Sequence, residues 1–312
     1  MRIGVDVMGG DFAPEAVVEG AVDSLRNVSA DDQLVLIGNE GSIFRKLNEM
    51  GVDPTHFSVI HTTQVIEMGD IPAKAYSQKQ DSSIAVGFKL LHDGEIDGFC
   101  SAGNTGAMLV GASYTVNVIP GVLRPALATI LPALDNRNSV ILDVGLNPDS
   151  KPDVLLQYGI LGSIFAKHIL EIENPVVRLL NIGMEESKGT PSVKAAYELM
   201  KEHPGINFKG NIEANDLFRE TMADVIVCDG FVGNIILKQT EAFHYIYKSR
   251  NLKDSYFDRL DFENIGGTPI VGINANVVIG HGVSKRKAVM NMILQTGAVV
   301  HVNLAQKIKE AI

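Results

Sequence analysis

The feature that most constrains the fold is the alternation of short apolar runs with amphipathic stretches along nearly the whole chain. The apolar runs are rich in Val, Ile and Leu and show no regular polar alternation. Such runs are typical of strands covered on both faces, as in parallel sheets. We predict strands at 3–8, 34–38, 57–61, 96–101, 139–144, 176–182, 206–210, 225–229 and 277–281.

The stretches between these strands have helical periodicity. We predict helices at 13–25, 82–92, 152–168, 192–201 and 284–309, and a further helix after the turn that ends at Gly106. Strand–helix alternation is typical of an α/β layered fold with a largely parallel sheet. The sequence contains no repeat of fixed period and no low-complexity segment.

Composition limits the class of protein. Hydrophobic residues make up 46% of the chain and charged residues 21%, as in globular proteins, and no run reaches the roughly 20 apolar residues that span a bilayer. The net charge of −10 argues against nucleic-acid binding. Cys100 and Cys228 each lie in an apolar strand run, so we expect buried thiols and a reducing, cytoplasmic location.

Polar residues and glycines follow six of the predicted strands. In open α/β sheets, ligands bind at the carboxyl ends of strands, so these six ends predict one shared cleft. The clearest case is 96–106, IDGFCSAGNTG, which predicts a strand, a small-residue turn and a helix N-terminus. Such a helix start suits a phosphate or carboxylate, and a simple capped helix is an equally good interpretation.

Several motifs are absent from the sequence. It has no G-x-x-x-x-G-K-[ST] loop, no strand-bound G-x-G-x-x-G, no G-x-S-x-G elbow and no zinc-ligand spacing. We therefore expect no metal and no organic cofactor. Catalysis would then depend on positioning, hydrogen bonding and charge.

The candidate functional side chains each have an ordinary structural explanation as well. Arg124, Lys188 and Lys238 could each meet an anion or be surface cations, and His281 could be an acid–base group or a hydrogen-bonded strand end. The aspartates that follow strands often cap turns, and asparagines tolerate tight turns. From the residues alone, the sequence predicts a cleft that binds an anionic small molecule containing phosphate.

The strand ends carry a family resemblance. The motifs MRIGVDVMGGDFAPEAVVEGA, SAGNTGA, RPALA, LDVGLN, NIGMEESKG, DGFVGN and VIGHG occur in the order found in phosphate acyltransferases of the PlsX type. The resemblance covers residues 1 to about 234 and resumes near 266. It implies a three-layer α/β/α fold like that of phosphotransacetylases and isocitrate dehydrogenase, in one catalytic domain over 1–312.

The resemblance also implies the reaction: transfer of a fatty acyl group from acyl carrier protein to inorganic phosphate, giving acyl phosphate for phospholipid synthesis. A homodimer is implied as well. The family pattern places the following residues around the cleft: Asp6, Gly10, Asp11, Ser101, Asn104, Thr105, Arg124, Asp143, Asn147, Lys188, Asp229, Asn234, Lys238 and His281.

The roles within this set are hypotheses. Ser101, Asn104 and Thr105 would cradle phosphate, and Arg124 and Lys188 would neutralise it. Asn234 would donate to the developing oxyanion, and His281 would protonate the departing thiolate. Direct attack by phosphate needs no enzyme nucleophile.

Two departures from the family pattern stand out. Leu146 occupies a position where relatives commonly have Ala, and the helical segment at about 240–265 is short, with Phe243, Tyr247, Tyr256 and Phe257 among charges. We interpret this aromatic stripe as a packing face within the chain or a dimer, with membrane contact at most peripheral.

Three other activities remain open from the sequence. They are a short-chain transferase acting on acyl-CoA, a non-catalytic scaffold that binds acyl carrier protein, and an NAD-dependent decarboxylating dehydrogenase of the related fold. The last would need an acidic metal-binding cluster, and Asp224 with Asp229 does not make one.

Overall fold

The structure is a computed structural model that describes residues 1–29, 31–219 and 223–312. These residues form two compact units. Unit 1 comprises 1–119 and 262–305, and unit 2 comprises 120–261 and 306–312. That residues 1–312 act together as one catalytic domain stays a prediction.

Within the described residues the strands are β1 (Arg2–Asp6), β2 (Gln33–Gly38), β3 (Phe57–His61), β4 (Gly98–Ser101), β5 (Ala126–Pro132), β6 (Asn138–Leu142), β7 (Val176–Leu180), β8 (Asn207–Ile212), β9 (Val225–Val227), β10 (Gly267–Val271) and β11 (Asn276–Gly280). The helices are α1 (Glu15–Ser24), α2 (Glu40–Glu49), α3 (Pro72–Gln78), α4 (Ser83–His92), α5 (Thr105–Tyr114), α6 (Pro152–Ile169), α7 (Pro191–Glu202), α8 (Gly230–Ser249), α9 (Ser255–Arg259), α10 (Phe262–Ile265), α11 (Arg286–His301) and α12 (Leu304–Ala311).

The sheet of unit 1 has the order β3-β2-β1-β4-β11-β10, and only the β10–β11 pair is antiparallel. Its strands are apolar on both faces because helices cover both. On one face, Ile3 and Val5 of β1 pack with Val17 of α1, Leu47 of α2 and Val289 of α11. This double cover explains why the strands appear in the sequence as continuous apolar runs.

The other face of this sheet is covered by α4 and α5. Phe99 of β4 makes an edge-to-face contact with Phe88 of α4, with ring centroids 5.2 Å apart. Gly87 and Gly111 leave space for these rings, since a Cβ at either position would collide with one of them. Helices on both faces of a mostly parallel sheet give the predicted three-layer α/β fold, which is confirmed.

The sheet of unit 2 has the order β5-β6-β9-β7-β8, and only the β5–β6 pair is antiparallel. Helix α6 packs on β6 and β9, where Gly162 allows close approach because its Cβ would meet Val225 and Leu142. Tyr158 and Phe165 of α6 are fully buried.

Short polar residues set several helix starts. The side chains of Asn39, Ser82, Asn104, Thr190 and Asp229 each accept a hydrogen bond from a backbone N–H in the first turn of the helix that follows. These contacts satisfy N–H groups that have no partner inside the helix. Ser82, Asn104 and Thr190 lie within three residues of helix starts that the sequence predicted, whereas α2, which Asn39 caps, was not predicted.

Three predictions about elements were wrong or incomplete. The predicted helix 284–309 is two helices, α11 and α12, because Asn303 adopts a left-handed conformation with φ of 50°. Strands β5 and β10 were not predicted. The sequence of β5 is rich in alanine and that of β10 contains Gly267 and Pro269, all with low strand propensity.

The segment at about 240–265, which we interpreted as a packing face, comprises the second half of α8 followed by α9 and α10. Tyr247 is buried and its ring stacks on Phe257 at 5.0 Å, so this part packs within the chain. Phe231, Ile235 and Phe243 are at least half exposed. Helix α8 therefore exposes more apolar surface than we predicted from the sequence.

No single helix among the described residues is long and apolar enough to cross a membrane, although α11 and α12, bent by 43° at their junction, pass a length and composition test together.

Substitution of Phe88 tests the packing of unit 1. Replacing this fully buried ring with alanine leaves a cavity against Phe99, and we expect Phe88→Ala to lower the free energy of unfolding by about 3–5 kcal/mol. The measurement is urea denaturation followed by circular dichroism. Tyr114→Ala, at a side chain that is 79% exposed, should change it by no more than about 0.5 kcal/mol. Equal losses in the two variants would contradict this packing.

Candidate functional site

The six predicted strand ends fall into two groups of neighbours, one in each unit. In unit 1, β4 pairs in parallel with β1 on one side and β11 on the other. In unit 2, β9 pairs in parallel with β6 on one side and β7 on the other. The three carboxyl ends of each group therefore lie side by side at one edge of their sheet.

In unit 1, a buried carboxylate joins the ends of β1 and β4. Asp6 is 1% exposed, and its carboxylate accepts hydrogen bonds from Ser101 Oγ at 2.6 Å and from the Met8 N–H at 3.0 Å. Ser101 Oγ in turn accepts from the Gly103 N–H at 2.9 Å. Burial raises the pKa of Asp6, and the hydrogen bonds, of which that from Ser101 is the largest, act in the opposite direction.

Glycines allow the backbone to close around this pair. A Cβ at Gly9 would collide with the Asp6 carboxylate. Gly10 has a φ of 106°, which L side chains rarely adopt, and the next N–H, of Asp11, donates to Gly282 O at 2.8 Å. This hydrogen bond fixes the turn after β1 to the turn after β11. The predicted site residues Gly10 and Asp11 belong to the first of these turns.

Asn104 is already committed to internal hydrogen bonds. Its Oδ1 caps α5 through the Ala107 N–H at 3.0 Å, and its Nδ2 donates to the carbonyls of Glu67, Met68 and Asp70 at 3.0–3.2 Å. The phosphate contact predicted for Asn104 stays a prediction, and it would require exchanging these bonds. Its neighbour Thr105 is exposed at the first residue of α5.

His281 is half-buried after β11. Its Nδ1 accepts a hydrogen bond from the Val283 N–H at 3.4 Å, and its ring lies 5.3 Å from that of Phe262. These contacts fix the ring in the turn and leave its assignment as proton donor a prediction.

In unit 2, the loop after β6 is organised by the fully buried carboxylate of Asp143. Its Oδ1 accepts from the N–H groups of Leu127, Gly145 and Leu146 at 3.1–3.2 Å. Its Oδ2 accepts from the N–H and the Nδ2 of Asn147 at 2.6 and 3.0 Å. Converging N–H dipoles of this kind stabilise a buried carboxylate and fix the loop around it.

The start of α8 packs directly on this loop. Asn147 Nδ2 also donates to Pro125 O at 2.7 Å, and the Gly230 N–H donates to Asn147 O at 2.8 Å. A Cβ at Gly233 would collide with Asp143 O. Only a glycine therefore allows the first turn of α8 to lie so close to the β6 loop.

Asp229 and Asn234 have different surroundings on α8. Asp229 caps the helix, its Oδ1 accepting from the Val232 N–H at 2.8 Å, which is the turn role that the sequence left open. Asn234 is exposed, near Gly145 of the Asp143 loop. Its amide is thus available at the surface of the loop.

The three predicted cations are exposed side chains of unit 2. Lys188 lies in the loop after β7, where its backbone carbonyl accepts from Asn181 Nδ2 at 3.1 Å. Lys238 pairs with Glu241 at 2.9 Å on α8. Arg124 lies at the mouth of a cavity of about 460 Å³ that Asn147, Ser150 and Lys151 also line.

This cavity is also lined by Ser150, which the sequence analysis did not select. Ser150 is 5% exposed, and its side chain interacts with the hydroxyl of Tyr158, a fully buried residue of α6. Tyr158 has the sequence signature of an ordinary core residue of an amphipathic helix, and Ser150 that of a loop residue. Nothing in the sequence indicated that both hydroxyls would be buried together.

Both cysteines are buried free thiols, as predicted. Burial raises the pKa of Cys100 to about 12 and that of Cys228 well above its usual value, with the carboxylates of Asp229 and Asp143 adding to the second shift. A thiol with so high a pKa is a poor nucleophile.

The raised pKa of Asp6 predicts a pH dependence of stability. Because the folded state holds the proton more tightly than the unfolded state, the contribution of Asp6 is fully present below about pH 3.8 and is lost as the pH rises through the folded pKa. Asp6→Asn should remove this loss, which pH-dependent urea denaturation would detect. Asp53→Asn is the comparison. Hydrogen bonds with Thr55 lower the pKa of this exposed carboxylate, so its contribution to stability is lost as the pH falls, and the substitution should remove that loss. The same slope in Asp6→Asn and the wild type would contradict this assignment.

The close approach at Gly233 gives a second prediction. We expect Gly233→Ala to lower the free energy of unfolding by about 1–3 kcal/mol, because the methyl group would displace α8 from the Asp143 loop. Gly41→Ala, on a helix where the new Cβ meets only Asn39 Oδ1 at 3.4 Å, should be neutral or stabilising by up to about 1 kcal/mol. Urea denaturation measures both, and a neutral Gly233→Ala would contradict the contact.

Comparisons with known proteins agree with this architecture. The model of the family described as "Fatty acid synthesis protein" matches residues 1–307. The chain is 38% identical to the phosphate acyltransferase of Dictyoglomus turgidum, covering 100% of this chain and 98% of the relative. It is 39% identical to that of Desulfitobacterium hafniense, covering 99% and 97%.

Solved structures share the fold. A phosphotransacetylase from Streptococcus pyogenes superposes with a TM-score of 0.67 at 16% identity, covering 96% of this chain and 94% of that one. A branched-chain phosphotransacylase from Enterococcus faecalis gives 0.65 at 13% identity, covering 96% and 99%. With the match over residues 1–307 and the identity over the full length, the chain belongs to the PlsX family of phosphate acyltransferases and is an acyltransferase that uses phosphate.

Proposed function

We propose that this acyltransferase takes a fatty acyl group from acyl carrier protein and transfers it to inorganic phosphate, so that the acyl phosphate feeds phospholipid synthesis. The observation that carries the proposal is the full-length identity of 38–39% to phosphate acyltransferases. The loops that bear the family motifs support it, because buried carboxylates and glycines fix them at the carboxyl ends of adjacent strands.

The reaction needs little from the protein beyond positioning. A phosphate oxygen attacks the thioester carbonyl, a C–O bond forms, and the C–S bond breaks as the carbonyl is restored. The thiolate leaves and takes up a proton. Since phosphate is the nucleophile, no enzyme nucleophile is required, which accords with two cysteines that are buried as thiols.

The residues of unit 2 would act on the phosphate and the carbonyl. Lys188 is an exposed cation on a loop fixed by Asn181, and it would neutralise the attacking phosphate. Asn234 is an exposed amide beside the rigid Asp143 loop, and it would donate to the oxyanion. The assignment of His281 as the proton donor to the departing thiolate stays a prediction.

Three further features remain proposals. The docking of acyl carrier protein and a homodimer follow from the family resemblance, and a cytoplasmic location follows from cysteine usage. The exposed Phe231, Ile235 and Phe243 of α8 offer an apolar face for protein or peripheral membrane contact.

The proposed activity is tested by assaying purified protein with labelled phosphate and, separately, palmitoyl-acyl carrier protein, palmitoyl-CoA and acetyl-CoA. We expect acyl phosphate from the carrier-bound donor. Lys188→Ala should lower the rate by about 100-fold or more, because it removes charge stabilisation from the reacting phosphate. The matched control is Lys194→Ala, an exposed lysine on α7 outside the site, which should retain the wild-type rate.

Each other outcome changes the proposal in a specific way. Acetyl phosphate from acetyl-CoA alone would assign the protein to the short-chain transferases. Activity with palmitoyl-CoA alone would exclude acyl carrier protein as the donor. Equal rates in the wild type and Lys188→Ala would remove Lys188 from the site.

A further inference from the structure

The loop that carries Lys188 is held from below by a buried side chain of the neighbouring strand. Strand β8 pairs in parallel with β7, and Asn211 of β8 is 1% exposed. Its Nδ2 donates to the carbonyl oxygen of Glu185 at 2.9 Å. The same carbonyl accepts from the backbone N–H of Lys188 at 3.1 Å. One backbone carbonyl therefore links the amide of Asn211 to the main chain of Lys188.

A bulge in β8 determines where the side chain of Asn211 points. Opposite the single residue Arg178 of β7, β8 places two residues, Lys209 and Gly210, and Gly210 has a φ of 83°. The guanidinium of Arg178 donates to the carbonyls of Lys209 and Asn211 at 2.7 and 3.0 Å. Bulges redirect the side chain that follows them and are common beside active sites. Here the bulge directs Asn211 to the loop after β7.

The amide of Asn211 is only half used. Its Oδ1 is buried and has no hydrogen-bond partner among the residues that the structure describes. A buried acceptor that is left unpaired lowers the free energy of unfolding. Stability alone therefore does not account for an amide at this position, and such exceptions to hydrogen-bond pairing call for another explanation.

The other contacts of the loop hold its ends and its surface. Asn181 Nδ2 donates to Lys188 O at 3.1 Å, and the Ile182 N–H donates to Asn181 Oδ1 at 2.8 Å. The carboxylate of Glu186 is exposed and accepts from Tyr197 at 3.0 Å. Water competes with such surface contacts, whereas Asn211 holds the middle of the loop where water is excluded.

We propose that Asn211 is a positioning residue for acyl transfer, which holds the Glu185 carbonyl and through it sets the place of Lys188. The inference rests on the proposed function, in which Lys188 neutralises the attacking phosphate. Asn211 itself is buried beneath the loop and touches neither substrate. Its effect on the rate comes from geometry, since a displacement of about 1 Å can cost up to about 100-fold in rate.

The kinetic test uses Asn211→Leu, which keeps the branched shape and removes the donor, and Asn211→Ala as a smaller second variant. We expect each to lower kcat with the preferred acyl donor by about 10-fold or more and to leave the KM for that donor near the wild-type value. Each substitution is also made together with Lys188→Ala. Because no Lys188 ammonium then remains to be positioned, the double variant should be as active as Lys188→Ala alone.

Asn207→Leu is the matched control. Asn207 lies at the other end of β8, is half-buried, and donates through Nδ2 to Asn174 O at 3.3 Å. The substitution removes the same kind of hydrogen bond from the same strand, away from the Lys188 loop, and it should retain the wild-type kcat. Urea denaturation checks that each variant is folded, and Asn211→Ala decides the matter if Asn211→Leu does not fold.

Hydrogen exchange measures the position of the loop without turnover. Mass spectrometry of a peptide covering residues 182–190 should show exchange about 10-fold faster in the Asn211 variants than in the wild type, because the Glu185 carbonyl is released and the Lys188 N–H loses a fixed acceptor. Asn207→Leu should leave exchange in this peptide unchanged.

The outcomes separate the inference from the proposed reaction. Wild-type kcat or unchanged exchange in both Asn211 variants overturns the inference. An equal fold-loss of kcat in the wild type and in the Lys188→Ala background also overturns it, since Asn211 would then act independently of Lys188. Faster exchange in the Asn211 variants, beside a wild type that forms no acyl phosphate from any donor, contradicts the proposed reaction and supports the contact between Asn211 and the loop.

Discussion

The site loops depend on buried carboxylates at the ends of central strands. Asp6 is the last residue of β1 in unit 1, and Asp143 directly follows β6 in unit 2. Each strand has a parallel neighbour, and each carboxylate is almost completely removed from water. A buried carboxylate is costly unless hydrogen-bond donors converge on it, and here the donors are the loops themselves. The carboxylates therefore impose one conformation on the residues that follow each strand.

Glycines make this arrangement possible. Gly9 approaches Asp6 and Gly233 approaches the backbone of Asp143 at places where a Cβ would collide. The result is a set of loops that are rigid without being bulky, which suits an enzyme whose nucleophile is its substrate. Positioning of phosphate against a thioester requires fixed polar groups, and this scaffold fixes them through the backbone.

The predicted site residues differ in whether their side chains are used for hydrogen bonds within the protein. Ser101, Asn104, Asn147 and Asp229 use their side chains for internal hydrogen bonds. Lys188 and Asn234 are exposed on loops that those bonds hold in place. The motif residues thus include supports as well as candidates for direct contact.

The sequence by itself determined the fold class, most of the strands, several helix starts and the positions of the strand-end motifs. These are local properties: apolar runs, capping side chains and glycines act within a few residues. It did not reveal β5 and β10, whose weak strand propensity is compensated by antiparallel pairing with the strands that follow them, β6 and β11. Only the tertiary structure decided which polar side chains form hydrogen bonds within the protein and which are exposed. That distinction depends on atoms far apart in the chain, such as Ser101 and Asp6, meeting in a region from which water is excluded.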